Sequence, residues 1–162
     1  MPAYLFGLPL GVPGQISRDS ATVEPQLLAS SGQPTAFGVP VAIDATSHKC
    51  RAIASGDDAA DVYGFLVRPY PFQSTQNDFG GESTVPTSGA VSVVKRGYIL
   101  VKLNNGTAVN NGTVYVRVAN ASGAKVIGGI EATADSTNTV GLTNAYFTGV
   151  GDADAVEVAF NI

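Results

Sequence analysis

The sequence predicts an all-β fold: a single β-sandwich or jelly-roll-like domain preceded by an extended, Pro/Gly-rich N-terminal arm. Residues 113–118 alternate valine with other residues, which is the period-two pattern of a strand with one buried face. Residues 155–162 repeat the pattern. Six of the nine prolines lie in the first forty residues, where no helical periodicity is sustained. The side chains predicted to form the core are Val114, Val116, Val118, Val156, Val158 and Phe160.

Composition favours a β-rich body with a weakly charged surface. The chain has 162 residues, enough for one domain that buries about 70% of the surface of its unfolded chain. Charged residues make up only 14%, compared with about a quarter in a typical protein. Nineteen glycines and no tryptophan fit a body with many turns. The net charge of −4 argues against general affinity for nucleic acid or anionic membranes.

The sequence shows no targeting or spanning segment. No run approaches the ~20 apolar residues that a membrane-spanning helix needs. The first ten residues lack the basic start and unbroken apolar stretch of a secretory signal. Cys50 is the only cysteine, so no intrachain disulfide can form. We therefore expect the protein to fold in a cytoplasm.

Residues 1–34 are predicted to form the arm. Residues 5–14 alternate apolar residues with glycine and proline, which favours an extended backbone and blocks helix formation. An apolar extended segment should pack against something rather than face water. Two interpretations stay open: the arm forms an edge strand on its own domain, or it leaves the subunit and docks on a neighbour.

Residues 35–162 are predicted to form the β-body. Short strands are expected near residues 39–43, 50–54, 62–68, 91–103, 113–118, 125–127, 128–132, 145–149 and 155–162. A bulge or bend is expected near Arg96-Gly97, and a single helical turn near residues 57–61. Two Asn-Gly pairs, at residues 105–106 and 111–112, predict tight turns. Residues 73–89 form the longest polar loop.

Residues with catalytic or metal-binding chemistry are sparse. His48, the only histidine, lies two residues from Cys50, so a strand could place the two side chains on one face. The alternative interpretation is a polar loop residue beside a small buried one. Carboxylates cluster at residues 57–61 and 152–154, where they fit solvated turns better than the spacing of a calcium loop. We therefore predict no catalytic residues, no cofactor and no metal site.

Charge is distributed unevenly along the chain. Between Glu82 and Glu131 every charge is positive, and from Glu131 to the end every charge is negative. Neighbouring strands could pair these opposite charges within one sheet. Alternatively, separate basic and acidic faces could meet complementary surfaces on a partner or on another copy of the chain.

Four strand-and-turn stretches carry a resemblance. They are YGFLVRPYP at 63–71, VVKRGYILV at 93–101, GTVYVRV at 112–118 and VEVAFNI at 156–162. Together they resemble the structural cement, or capsid decoration, proteins of tailed bacteriophages, over most of residues 35–162. The N-terminus resembles the extended arm of that family. The resemblance implies a virion protein on the outer capsid surface that bridges neighbouring major capsid protein subunits.

The predicted partners are the major capsid protein and other copies of this chain in a homo-oligomer on the capsid, with no nucleic acid and no membrane. We expect the capsid or subunit contacts to involve the apolar arm and the basic bend, through Leu5, Phe6, Leu8, Leu10, Val12, Lys95 and Arg96. The alternative function is a receptor- or carbohydrate-binding module of a tail fibre or spike. Its aromatic platform would be Tyr70, Phe72 and Phe79 near the long loop.

Overall fold

A computed structural model describes residues 11–69, 84–151 and 154–162. This part of the chain is all-β, as predicted, and its helical structure is limited to two single turns of 3₁₀ helix, Ala59–Asp61 and Ser136–Asn138. The first turn lies where the sequence predicts one, and the Asp58 side chain caps it. The strands are β1 (Thr22–Leu27), β2 (Pro40–Ile43), β3 (Cys50–Ala52), β4 (Gly64–Leu66), β5 (Ala90–Val101), β6 (Leu103–Asn105), β7 (Thr113–Arg117), β8 (Ile130–Glu131), β9 (Thr139–Gly151) and β10 (Val156–Phe160).

The strands form one curled sheet whose two halves share a core, which agrees with the predicted sandwich-like fold. Hydrogen-bonded neighbours follow the order β3-β2-β4-β5-β10-β9-β7-β8-β6, and β1 pairs with β5 off this path. The twelve-residue strand β5 connects the halves: its first part pairs with β1 and β4, and its second part pairs with β10. All pairings are antiparallel except that of β6 with β8.

Strand β5 bends where its pairing changes, and the predicted irregularity near Arg96-Gly97 is confirmed. The register slips between Thr22, opposite Arg96, and Val23, opposite Val94, so β5 carries an extra residue there. Gly97 has φ 138°, and a Cβ on it would lie 2.9 Å from the Cα of Ala21. A side chain at this position would therefore push the N-terminal segment off the sheet.

Strand β1 places residues 22–27 of the predicted arm on the body itself. Leu28 N–H donates to the carbonyl of Gly89, which directly precedes β5. Because the N–H and C=O groups of successive residues in a strand face opposite sides, those of residues 23, 25 and 27 face away from β5. Pro25 is one of these outward-facing residues. Because proline has no N–H, it offers no hydrogen-bond donor to another strand on the outer side of β1. For these residues the edge-strand interpretation holds, whereas the arm–body boundary at residues 34 and 35 stays a proposal.

The main core lies between the two halves of the sheet. All six predicted core residues are buried in it, and the rings of Phe65 and Phe160 meet edge to face with centroids 5.1 Å apart. A second cluster covers the other face of the β2–β4–β5 half and includes Leu28, Cys50 and Leu66. Because Leu28 belongs to this cluster, removing the chain up to residue 30 would also remove core volume.

Strand β10 differs from the prediction of one buried face. All five of its residues are buried, including Glu157, because segments from elsewhere in the chain cover its second side. Ile162 continues the alternation of β10 but lies beyond the last paired residue and is half exposed, because the sheet ends before it.

Candidate functional site

The part of the arm before β1 is held along β5 by main-chain hydrogen bonds. Gly14 N–H donates to the Leu100 carbonyl at 2.7 Å, and Ser17 N–H donates to the Tyr98 carbonyl at 3.1 Å. Gly14 has φ 88°, and a Cβ there would lie 2.5 Å from the Cβ of Phe37. Only glycine allows the backbone to approach so closely. This contact fixes the position of Gly14 on the body.

Charge reinforces the attachment at Glu157. The carboxylate of this β10 residue is nearly buried, and Arg18 binds it with two hydrogen bonds, Nε to Oε1 at 3.1 Å and Nη2 to Oε2 at 2.6 Å. The hydroxyls of Ser17 and Thr148 each donate to it at 2.6 Å. The guanidinium of Arg18 also stacks 4.0 Å from the centroid of the Tyr98 ring. We call these five residues the Glu157 clamp.

Burial opposes ionisation of Glu157, but the hydrogen bonds from Arg18, Ser17 and Thr148 outweigh it. The pKa of Glu157 therefore lies below its ordinary value of 4.5. Because the folded-state pKa is lowered, the clamp contributes its full stability above about pH 4.5. That stability is lost as the pH falls through the folded-state pKa.

We expect Glu157→Gln to loosen the N-terminal segment and to cost about 1–2 kcal/mol of folding stability at neutral pH. Amide exchange at Gly14 and Ser17 should accelerate, because local opening then costs less. In the wild-type protein, the protection of these amides relative to their intrinsic exchange rate should fall only in acid, when Glu157 becomes protonated. Asp19→Asn, an equal charge change on the same segment at an exposed position, is the control. Equal exchange rates in the two variants would show that the clamp does not hold the segment.

The predicted contact residues belong to two segments, the N-terminal arm and the basic bend of β5. Leu5, Phe6, Leu8 and Leu10 fall outside the described residues. Val12 precedes the attached segment and is 42% exposed. Lys95 is half buried: its Nζ donates to the Tyr63 carbonyl at 2.8 Å and lies 3.4 Å from the centroid of the Tyr63 ring. Arg96 is exposed, and its Nε donates to the Asn161 carbonyl at 3.2 Å.

A buried ion pair explains much of the uneven charge distribution. Arg117 on β7 and Glu131 on β8 are 1% and 0% exposed, and the guanidinium Nε and Nη2 donate to the two carboxylate oxygens at 2.5 and 3.2 Å. Arg117 Nη2 also donates to Asp135 at 2.6 Å, and Lys125 lies 3.4 Å from the same carboxylate. For Arg117 and Lys125, pairing within the protein is the correct interpretation of the charge pattern.

The remaining donors and acceptors of this pair are also satisfied. Arg117 Nη1 donates to the Ala119 and Asn120 carbonyls, and Asn105 Nδ2 donates to Glu131 at 3.0 Å. Hydrogen bonds, mainly the one from Arg117, lower the pKa of Asp135 to about 2. Asp135 therefore stays charged at physiological pH, and the network joins β6, β7 and β8. Its geometry fits a structural role.

The structure separates the candidate Cys-His pair. His48 is exposed in the turn before β3, whereas Cys50 is fully buried on β3. Burial raises the pKa of the Cys50 thiol to about 11, which disfavours the reactive thiolate. Asp57 pairs with Arg51 at 2.7 Å and accepts from Ala54 N–H, so it closes a turn. Cys50 is therefore a core residue, and Asp57 stabilises a turn.

Two further findings concern the described residues. They contain no group of three or more His, Cys, Asp or Glu side chains placed to hold a metal ion. Within the same ranges, no helix combines the length and the apolar character that crossing a membrane requires. Asp152 and the aromatic residues Tyr70, Phe72 and Phe79 lie outside the described part of the chain.

Comparison with known proteins identifies a family and a solved structure of similar fold. The model of the XM1 gp53 minor capsid protein family matches residues 1–159. A chain in a structure titled "The capsid of Myoviridae Phage XM1" is similar with a TM-score of 0.72 and 17% identity, over 97% of this chain and 94% of that one. No curated protein sequence matches. At this identity the structural likeness establishes a shared fold.

Proposed function

Since the chain belongs to the XM1 gp53 minor capsid protein family, we propose that it binds the outer surface of a phage capsid and cements neighbouring major capsid protein subunits. The family match over residues 1–159 is the observation that carries the proposal. Family membership makes this a bacteriophage capsid-associated protein of the virion. The outer-surface location and the cementing of subunits are the proposed steps.

The arm supplies a physical means of bridging. Main-chain bonds and the Glu157 clamp hold residues 14–18 on the body, and the exposed Val12 precedes them. We propose that Leu5, Phe6, Leu8 and Leu10, together with Val12, contact a neighbouring capsid subunit. Burying apolar surface contributes about 25 cal/mol per Å², so a few such side chains supply several kcal/mol. Many weak arms on one particle add avidity.

The proposal includes the basic bend and an oligomer. Arg96 is exposed beside the end of β10, where a carboxylate of a partner could approach it. Lys95 is held by Tyr63 and would act mainly by orienting the bend. Several copies of the chain would form a homo-oligomer on the capsid surface. In this role the protein needs no catalysis, cofactor, nucleic acid or membrane.

The test uses particles made without this protein. We expect the purified chain to bind them saturably and to raise the temperature at which they release DNA. A chain lacking residues 2–10 should keep a melting temperature close to that of the full chain and bind at least about tenfold more weakly, because the apolar contact is lost. Binding is measured by co-sedimentation, and folding by circular dichroism.

Two results would contradict parts of this proposal. If the full chain ignores particles but binds host-cell glycans, the receptor-binding alternative is correct. If the shortened chain binds particles as tightly as the full chain, the first ten residues are not the contact. Arg96→Glu, compared with Lys49→Glu at an exposed position before β3, tests the basic bend separately.

A further inference from the structure

A half-open groove with a volume of about 670 Å³ lies on the body. It is lined mainly by residues 33–40 and 126–130. Its volume is in the range of about 300–1,000 Å³ that binding clefts occupy. The groove shares no residue with the Glu157 clamp or with the Arg117–Glu131 pair.

The walls of the groove are mostly apolar and partly uncovered. Pro34 and Pro40 stiffen one wall, and Ile53 and Ile127 add aliphatic surface. Val126 also lines the groove and is 47% exposed. An apolar concave surface of this kind gains free energy when a partner covers it.

The amide side chains in the groove already hold the walls together. Asn104 Nδ2 donates to the Ala124 carbonyl at 2.9 Å, and Asn104 Oδ1 accepts from Ile130 N–H at 3.2 Å. Gln33 Nε2 donates to the Ala29 carbonyl at 2.9 Å. These groups are therefore poorly placed to orient a small polar ligand. Recognition in the groove depends on apolar contact and on charge.

Within the described residues, the charged side chains that line the groove are basic. Its lining includes Arg68 and Lys102 and, within the described ranges, no carboxylate, although the whole chain has a net charge of −4. Lys102 is exposed, and no hydrogen bond or ion pair holds its ammonium group within the described structure. A partner that brings a carboxylate to this edge would be attracted and held in one register.

We propose that the groove binds an extended, apolar segment of a capsid subunit that carries a carboxylate opposite Lys102. The inference rests on the proposed capsid binding and names the surface that performs it. Extended segments suit such a groove because alternate side chains enter it while the backbone stays at its mouth. The chain's own first ten residues contain no Asp or Glu, so they do not complement the charge.

Two substitutions and two matched controls test the groove. Lys102→Glu reverses its charge, and Val126→Asp places a carboxylate on its apolar wall. Lys49→Glu and Val109→Asp make the same changes at exposed positions outside the groove. We expect the groove variants to bind particles at least about tenfold more weakly, and the controls to stay within about twofold of wild type. Unchanged melting temperatures would establish that all four variants fold.

The outcomes separate this inference from the proposed function. If the wild-type chain binds no particles, the proposed function itself fails. If it binds and both groove variants bind equally well, only the groove inference is wrong. If the groove variants lower the melting temperature of the full chain but not of a chain lacking residues 2–10, the groove holds the chain's own arm. That result would also overturn the inference.

Discussion

Glu131→Gln should cost about 3–5 kcal/mol of folding stability, although it changes a single atom of the side chain. The substitution removes the negative charge that faces the Arg117 guanidinium, and both side chains are almost completely buried. A buried charge without its partner retains its desolvation penalty and loses the attraction that offset it. Asp135 remains as a carboxylate partner for one guanidinium nitrogen, but it is a third exposed. The measurement is chemical denaturation at neutral pH.

The control for this prediction is Asp57→Asn. It breaks the Arg51–Asp57 pair, which has similar distances but lies nearer to solvent, so we expect a loss of only about 1 kcal/mol. The double variant Arg117→Met/Glu131→Leu should lose less than Glu131→Gln alone, because it removes both buried charges together. If Glu131→Gln lowers the folding stability no more than Asp57→Asn does, then water or a local rearrangement compensates the buried charge of the Arg117 guanidinium.

Val158→Asp should lower folding stability by several kcal/mol and should leave little folded protein at 37 °C. Val158 is fully buried at the centre of β10, opposite Ile99 on β5 and Phe147 on β9. A carboxylate at this position would have to be buried without a partner or be protonated. Because β10 joins β5, the strand shared by both halves of the sheet, to β9, the damage should affect the entire body, and circular dichroism should detect it.

Two milder substitutions calibrate that result. Val158→Thr keeps the branched shape and adds one hydroxyl, so we expect a loss of about 1–3 kcal/mol. Thr143→Asp introduces the same carboxylate at an exposed position on the neighbouring strand β9 and should have little effect. A soluble Val158→Asp protein with the wild-type melting temperature would contradict the central position of β10.

The described N-terminal residues fit the first of the two interpretations of the arm, an edge strand on its own domain. Residues 22–27 form an edge strand of the body, and Arg18 fastens the preceding turn to Glu157. Pro25 protects the outer edge of this strand from pairing with other chains. Within the N-terminal segment, the residues before the anchored Gly14 are therefore the ones we propose for the bridge to a neighbour. Deletion of residues 2–10 is for this reason a sharper experiment than deletion of the full predicted arm.

The sequence alone determined the fold class and the core of the body. Alternation is a local property, because successive side chains of a strand point to opposite faces. Val114, Val116 and Val158 could therefore be assigned to the core without knowing their neighbours. The proline-rich start likewise predicted an extended backbone, since proline restricts its own φ angle. The resemblance to capsid decoration proteins also rests on strand and turn patterns, which are local properties of the sequence.

Only the tertiary structure decided which strands pair and what covers their second faces. The Asn-Gly pair at residues 111–112 does lie in a tight turn, which Gly112 N–H closes by donating to the Val109 carbonyl at 2.9 Å. However, β6 pairs with β8 and β7 pairs with β9, so no hairpin joins β6 to β7. Strands predicted at 125–127 and 128–132 shrink to Ile130–Glu131, while β9 begins at Thr139, ahead of the predicted 145. Pairing energy depends on partners distant in sequence, which single-strand patterns do not encode.

The charged groups show this limit most clearly. Alternation placed Glu157 on a solvent face, but Arg18, 139 residues away in the chain, covers and neutralises it. Arg117 likewise lies in a stretch where every charge is positive, and only the packing of β8 against β7 brings Glu131 to it. A charge can be buried only where an opposite charge and further hydrogen bonds converge on it. Such groups come from segments that are distant in the sequence, so only the folded chain brings them together.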